Sequence, residues 1–236
     1  MNPYIQMRMA NKARGAFEAD GATLWLYDAI AYDDEEAAWL GGIAPRAFIS
    51  ALSAVDGPVT LRINSPGGSV WGAQAMVAAM RDHAHPITAR IDSLAASAAT
   101  VIAAEAARVE IQPGAMMMIH KAFGLVMGNA DAMLDAAARF EKIDGAIAGT
   151  YARKAGGDPD EWMARMSAET WFTAEEAVEA GLADALAEAA NHRAAAKWDL
   201  SAYAAPPAPE EPTAAANRPS NSQTRMRFRA AACALI

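Results

Sequence analysis

Three stretches of this chain carry side chains or backbone that could do chemistry together: a serine, a histidine and a pair of glycines. Ser97 lies in Asp92–Glu105, DSLAASAATVIAAE, which reads as a short turn feeding a helix of small residues. A helix start offers unpaired N–H groups and the positive end of the dipole, which suits a developing oxyanion. Ser97 is therefore a candidate nucleophile, against the plainer alternative that Ala, Ser and Thr pack a tight buried helix. His120 closes the apolar run Met116–Ile119. Imidazole is the usual general base near neutral pH, although a histidine at a strand end is often just a polar residue. Gly67 and Gly68 belong to the turn cluster Asn64-Ser65-Pro66-Gly67-Gly68-Ser69. Two glycines there permit positive φ and close approach of the backbone, so both N–H groups are expected to be free for an anion. Neither GxGxxG nor GxxxxGK[ST] is present, so a phosphate is not implied, and an ordinary strand-to-helix turn stays open.

The elements around these residues alternate. Ala22–Tyr27, Val59–Ile63, Ile87–Ile91, Arg108–Ile111, Met116–Ile119 and Leu182–Leu186 read as strands, and Glu169–Phe172 as extended. Helices are expected over Arg46–Val55 behind Pro45, over Trp71–Asp82, and over Ala130–Lys154 with Asn129 or Asp131 as its cap. Asp158-Pro159-Asp160-Glu161 is a helix start running to about Met166, and Thr173-Ala174-Glu175-Glu176 is a capping box for a helix ending at Gly181. Residues 1–19 read as irregular, Asp33–Gly42 as a loop, and Lys121–Gly128 as extended. Strands alternating with helices argue α/β with crossover connections. The composition shifts near Glu188; Ala205–Ser222 reads as a disordered linker and Arg225–Ile236 as a loose or docking tail. The expected division is thus 1–20, 21–188 and 189–236.

Bulk properties narrow the function classes. The 236 residues carry a net charge of −8, so nucleic-acid binding is not expected. A lone cysteine, Cys233, rules out an internal disulfide framework and suits a reducing compartment. No signal-peptide core and no membrane-length apolar run are found, so a cytoplasmic location is expected. No spacing suggests a metal site, and no cofactor is expected. Trp39, Trp71, Met116–Met118 and Trp171 are taken as core or interface packing, and His83 and His85 as partners of a helix C-terminus.

Four stretches in register resemble the ClpP-type serine peptidase family: INSPGGSV (Ile63–Val70), SLAASAAT (Ser93–Thr100), MMIH (Met117–His120) and ETWFTAEEAVEAGLAD (Glu169–Asp184). The resemblance covers about Ala22–Leu186. It implies the ClpP/crotonase fold, a spiral of repeated ββα units with a protruding handle helix. It implies Ser97 as nucleophile, His120 as general base, and the N–H groups of Gly68 and Ala98 as the oxyanion hole. The helix Ala130–Lys154, with Lys121–Gly128 before it, matches the handle through which homo-oligomeric rings meet. The extended stretch and the residues after Gly68 would pair with a polypeptide substrate as an added strand.

The third triad position departs from the family, which usually has Asp where this chain has Thr170. Threonine can accept a hydrogen bond from the imidazole but supplies no negative charge. Glu169 is the alternative, yet adjacent residues of an extended segment face opposite ways, so it could serve only if the backbone turns there. The stretch from Ala22 and the Pro/Ala-rich extension further resemble phage-encoded head maturation proteases. These are ATP-independent and would cut scaffold and capsid proteins within the prohead. The alternatives are a ClpP-type subunit working with a AAA+ unfoldase, a crotonase-like acyl-CoA enzyme, and a catalytically inactive ring.

Overall fold

Strands β3 (Val59–Ser65) and β4 (Ile87–Ala96) lie at the centre of the sheet. The computed structural model describes residues 3–12, 16–188, 198–204 and 206. In β3, Val59, Leu61 and Ile63 alternate into the core, as a β-rich run with one face buried should. Parallel neighbours flank the pair, β2 (Thr23–Tyr27) on β3 and β5 (Arg108–Ile111) on β4. The edges are β1 (Ala16–Asp20), antiparallel on β2, and the two-residue β8 (Ala185–Leu186) on β5.

β4 changes partner along its length, and this positions the site. Thr88–Ile91 pairs with β5, whereas Leu94–Ala96 pairs in parallel with β6 (Met116–Ile119). β6 is in turn closed antiparallel by β7 (Thr170–Thr173). At the switch, Asp92 takes Nε and Nη2 of Arg62 at 2.7 and 2.6 Å, and the hydroxyl of Tyr27 donates to it as well. One carboxylate thereby ties β2, β3 and β4 together where the sheet divides.

The helices start where the local chemistry says they should. α3 (Pro45–Ser53) has proline in its first turn, and Ser69 caps α4 (Val70–Asp82) by accepting the Gly72 N–H at 3.1 Å. Asn129 caps α6 (Ala130–Ala155), Asp158 caps α7 (Pro159–Ser167), and Thr173 and Glu176 make both halves of the capping box of α8 (Ala174–Glu179). α5 (Ala98–Ala104) is buried along its whole length. The small residues let it lie close against β4 and α4. The 26 residues of α6 make a rod of about 39 Å. Its second half buries Ile147, Ala148 and Tyr151, while in its first half Met133 and Leu134 are exposed. This is the α/β architecture with a handle helix that the resemblance implies.

Several expectations need correction. Residues 1–19 hold α1 (Pro3–Asn11) and β1. α1 is held by a buried Arg8, whose Nη2 donates to Gly41 O at 2.8 Å and Nη1 to Glu36 at 3.2 Å. A helix anchored by an inward arginine shows no apolar stripe in sequence. The expected loop Asp33–Gly42 contains α2 (Asp34–Leu40), capped by Asp33 and ended by Gly41 at φ 75°. Its acidic run is a first-turn signal, not a loop signal. The expected turn after Ile91 is strand as far as Ala96, because β6 offers that half of β4 a second partner. The final strand shrinks from Leu182–Leu186 to Ala185–Leu186.

Lys121–Gly128 joins no strand among the described residues, and its Gly124 sits against the ring of Phe140 on α6. Trp39 and Trp71 are 67% and 61% exposed and are not core, whereas Met117 and Met118 are. His83 and His85 reach back to Gly57 O and Asp56 rather than to the end of their own helix. Apart from Pro206, the linker and tail expected over 205–236, Cys233 included, lie outside the described residues.

Candidate active site

Ser97 sits on the single residue between the end of β4 and the first turn of α5. Its φ of 54° and ψ of −124° place a non-glycine residue in a region costing about 1–3 kcal/mol. The surroundings over-determine that conformation. Ser97 N–H donates to Met118 O at 2.8 Å, and Ser97 O accepts both Thr100 N–H at 2.9 Å and the Thr100 hydroxyl at 2.5 Å. The Thr100 hydroxyl meets Tyr151 OH of α6 at 2.6 Å, which connects the serine backbone to the handle helix. A sharp strand-to-helix turn pushes the serine side chain out of the sheet, where Ser97 stays half-buried.

His120 follows β6 directly, and the pairing of Leu94–Ala96 with Met116–Met118 carries it to the serine. Nε2 lies 2.7 Å from Ser97 Oγ. For Nε2 to accept the hydroxyl proton, the neutral ring carries its hydrogen on Nδ1. Burial pushes the imidazole pKa down to about 4, and the negative charge of Glu169 opposes that shift. The ring packs against both Phe123 and Tyr203, each with its centroid 5.3 Å away.

Of the two glycine N–H groups expected to be free, the turn leaves only that of Gly68. Gly67 N–H is spent on Ser65 Oγ at 3.1 Å, and Gly67 O accepts Ile30 N–H at 2.8 Å. Gly68 bridges to Ile30 on its other side, where Ser69 N–H donates to Ile30 O at 2.9 Å. Among the described residues the N–H groups of Gly68 and Ala98 have no acceptor. Gly67 stands against 96–98: a Cβ there would be 2.5 Å from Ala96 O and 2.8 Å from Ser97 Cβ. The turn therefore approaches the serine as closely as backbone can. Unspent N–H groups at Gly68 and at the start of α5 thus border the turn that carries Ser97, the kind of group that can hold an anion.

At the third position the structure separates the two candidates. The Thr170 hydroxyl donates to Arg165 O at 2.7 Å. Glu169 has φ 50°, so the backbone does turn there, just after α7. Its Oε1 accepts Trp171 Nε1–H at 3.3 Å and its Oε2 accepts Ala204 N–H at 2.8 Å. Among the described residues Nδ1 of His120 has no hydrogen-bond partner, but Glu169 is the carboxylate whose charge reaches the ring. Thr170→Ala is expected to leave peptide hydrolysis within about threefold. Glu169→Gln is expected to slow it about tenfold, the worth of one pKa unit on the base. Side-by-side kcat values for the two variants check this, and equal values would return Thr170 to the role.

Residues beyond Glu188 also reach the site, which the sequence reading missed. Trp198 Nε1–H donates to Asn64 Oδ1 at 2.8 Å, and the Tyr203 hydroxyl donates to Pro66 O. Asn11 of α1 pairs twice with the backbone of Asp199, at 2.9 and 2.7 Å. The available signal was WDLSAY, two aromatics and a leucine in an alanine-rich stretch. Among the described residues no three His, Cys, Asp or Glu side chains gather as a metal site, and no helix is long and apolar enough to cross a membrane.

Residues 46–190 match the family described as Clp protease. ATP-dependent Clp protease proteolytic subunit 1 of Protochlamydia amoebophila is 26% identical over 76% of this chain and 86% of its own length. The corresponding subunit 1 of Chlamydia muridarum is 31% identical over 55% of this chain and 69% of its own length. The proteolytic subunit of Bacteroides fragilis is 28% identical over 53% of this chain, which spans 62% of that relative. Ser97, His120, Gly68, Ala98 and Thr170 fall inside the matched residues, and Trp198–Ala204 fall after them.

Proposed function

The chain belongs to the Clp protease family, and from that premise we propose that it is a ClpP-type serine endopeptidase acting through Ser97 and His120. The observation that supports this is the 2.7 Å contact between Ser97 Oγ and His120 Nε2, beside the unspent N–H groups of Gly68 and Ala98. In the first step His120 Nε2 takes the hydroxyl proton as Oγ bonds to the substrate carbonyl carbon. The carbonyl oxygen becomes an oxyanion held by the two N–H groups. Collapse breaks the C–N bond, and the imidazolium returns its proton to the leaving amine. Water then repeats the sequence on the acyl-enzyme, releasing the new carboxyl and Ser97. A base held near pKa 4 is neutral at working pH but a weak proton acceptor. With no carboxylate on Nδ1 among the described residues, the imidazolium relies on Glu169 through space.

The substrates on this reading are polypeptides, and α6 is the surface through which subunits assemble into rings. The relatives are named as proteolytic subunits of ATP-dependent Clp protease, which favours a subunit working with a AAA+ unfoldase. The second reading is an ATP-independent phage head maturation protease cutting scaffold and capsid proteins. Its support is the resemblance of the stretch after Ala22 and the extension beyond the family-matched residues. A crotonase-like enzyme would use acidic residues near the glycine turn, where this chain has a serine and a histidine.

Fluorophosphonate labelling of the assembled full chain, with the adduct mapped by peptide mass, tests the shared claim. One adduct per subunit on the peptide containing Ser97 is expected. An assembled species that takes up no label overturns it and leaves an inactive ring. Degradation of a folded protein only with an added unfoldase and ATP would support the first reading, and unaided cutting of a capsid or scaffold protein the second.

A further inference from the structure

We propose that Tyr203 is a positioning residue for the Ser97–His120 pair, supplied by a segment that lies after the family-matched residues. The proposal rests on the catalytic reading of that pair. Tyr203 is buried, and it touches both halves of the machinery. Its ring meets His120 edge-on, with centroids 5.3 Å apart and planes at 73°. Its hydroxyl donates to Pro66 O, two residues before the Gly68 donor. Trp171 packs on it at 6.1 Å, and Met7, Leu94, Ala96 and Met118 complete the apolar cluster.

The segment is fastened along its length. Trp198 is tied to Asn64, Asp199 to Asn11, and Ala204 N–H to Glu169 Oε2. Ser97 itself remains half-buried with the segment in place. The segment's physical role follows from what His120 lacks. Among the described residues the imidazole is oriented by one hydrogen bond alone, Nε2 to Ser97 Oγ, so the side chains packed on the ring carry the rest of its positioning. Phe123 and Tyr203 both pack on the ring and restrict its plane, with Nε2 facing Oγ. Displacing reacting groups by about 1 Å can cost 10²-fold in rate. The charged group that acts on the ring is Glu169, on the turn into β7; Lys121 is next in the chain, and the Asp199 carboxylate of the segment accepts Ser201 N–H.

The test uses the full chain as wild type, Tyr203→Phe and Tyr203→Ala. Fluorophosphonate labelling rates are measured on the assembled species from pH 4 to 9. The His120 imidazole is titrated by nitrogen NMR and each protein is melted. Tyr203→Phe keeps the ring and loses the hydroxyl, so labelling slows about 3- to 10-fold with its acid limb in place. Tyr203→Ala slows it about 10²-fold. Water then reaches the ring, so the acid limb and the NMR midpoint both rise by about one unit.

A folded Tyr203→Ala with an unmoved acid limb and a rate within twofold of wild type overturns the proposal. So does faster labelling, which would make the segment an inhibitory cover. If Tyr203→Ala does not fold, Tyr203→Phe decides, and a wild-type rate overturns the proposal. If wild type takes no label, the peptidase reading fails by itself. The NMR midpoints then still report whether Tyr203 holds His120: a midpoint that rises in Tyr203→Ala supports the contact, and an unmoved one removes it.

Discussion

Ser97→Ala is expected to lower peptide hydrolysis by a factor of about 10⁴ or more, because in the proposed mechanism its hydroxyl forms the acyl bond. Binding and assembly should be unchanged, since among the described residues the one hydrogen-bond partner of Ser97 Oγ is His120. Stability should hardly move: alanine keeps the strained φ of 54° and loses only a half-exposed hydroxyl. Ser97→Gly makes the sharper comparison. It loses the same activity but relieves the backbone, and should melt a few degrees higher than Ser97→Ala, consistent with about 1–3 kcal/mol of local strain. Initial rates on a fluorogenic peptide and thermal melts of the three proteins check both halves. Residual hydrolysis above about 1% in Ser97→Ala would mean that another group is the nucleophile.

Gly68→Ala should be nearly as damaging for a different reason. The residue has φ 149°, and an added Cβ would fall inside the carbonyl oxygen of Ile30, which is itself bonded to Ser69 N–H. Neither side can give, because Ile30 is fully buried and its N–H is held by Gly67 O at 2.8 Å. The turn must move, and the Gly68 N–H moves with it. Loss of one oxyanion donor costs about 10²–10³ in kcat, with KM little changed because the donor acts mainly on the transition state. The melting temperature should fall too, since the bridge between Ile30 and Gly68 opens. A Gly68→Ala enzyme retaining kcat within about threefold would remove this N–H from the mechanism.

Local chemistry is what the sequence determined. Pro45, Ser69, Asn129, Asp158 and the Thr173–Glu176 box each act within one helical turn, so the starts of α3, α4, α6, α7 and α8 were legible without a fold. β5 and β6 were readable to the residue because turns bound them on both sides. The types of residue needed for acyl transfer were also visible, and resemblance, rather than spacing, paired Ser97 with His120.

Tertiary structure decided what depends on contacts distant in the chain. β4 runs to Ala96 because β6 and, past a register shift, Ser65 of β3 pair with its second half, and the β6 pairing brings base and nucleophile to 2.7 Å. Gly67 and Gly68 looked equivalent, but Ser65 Oγ takes one N–H and leaves the other. Glu169 joined the site through a left-handed turn that its residue type does not announce. Arg8 and Tyr203 were invisible because their partners, Gly41 and Pro66, lie 33 and 137 residues away. Hydrogen bonds within one turn follow from neighbouring residues, whereas those that close over long loops exist only once the whole core has brought their ends together.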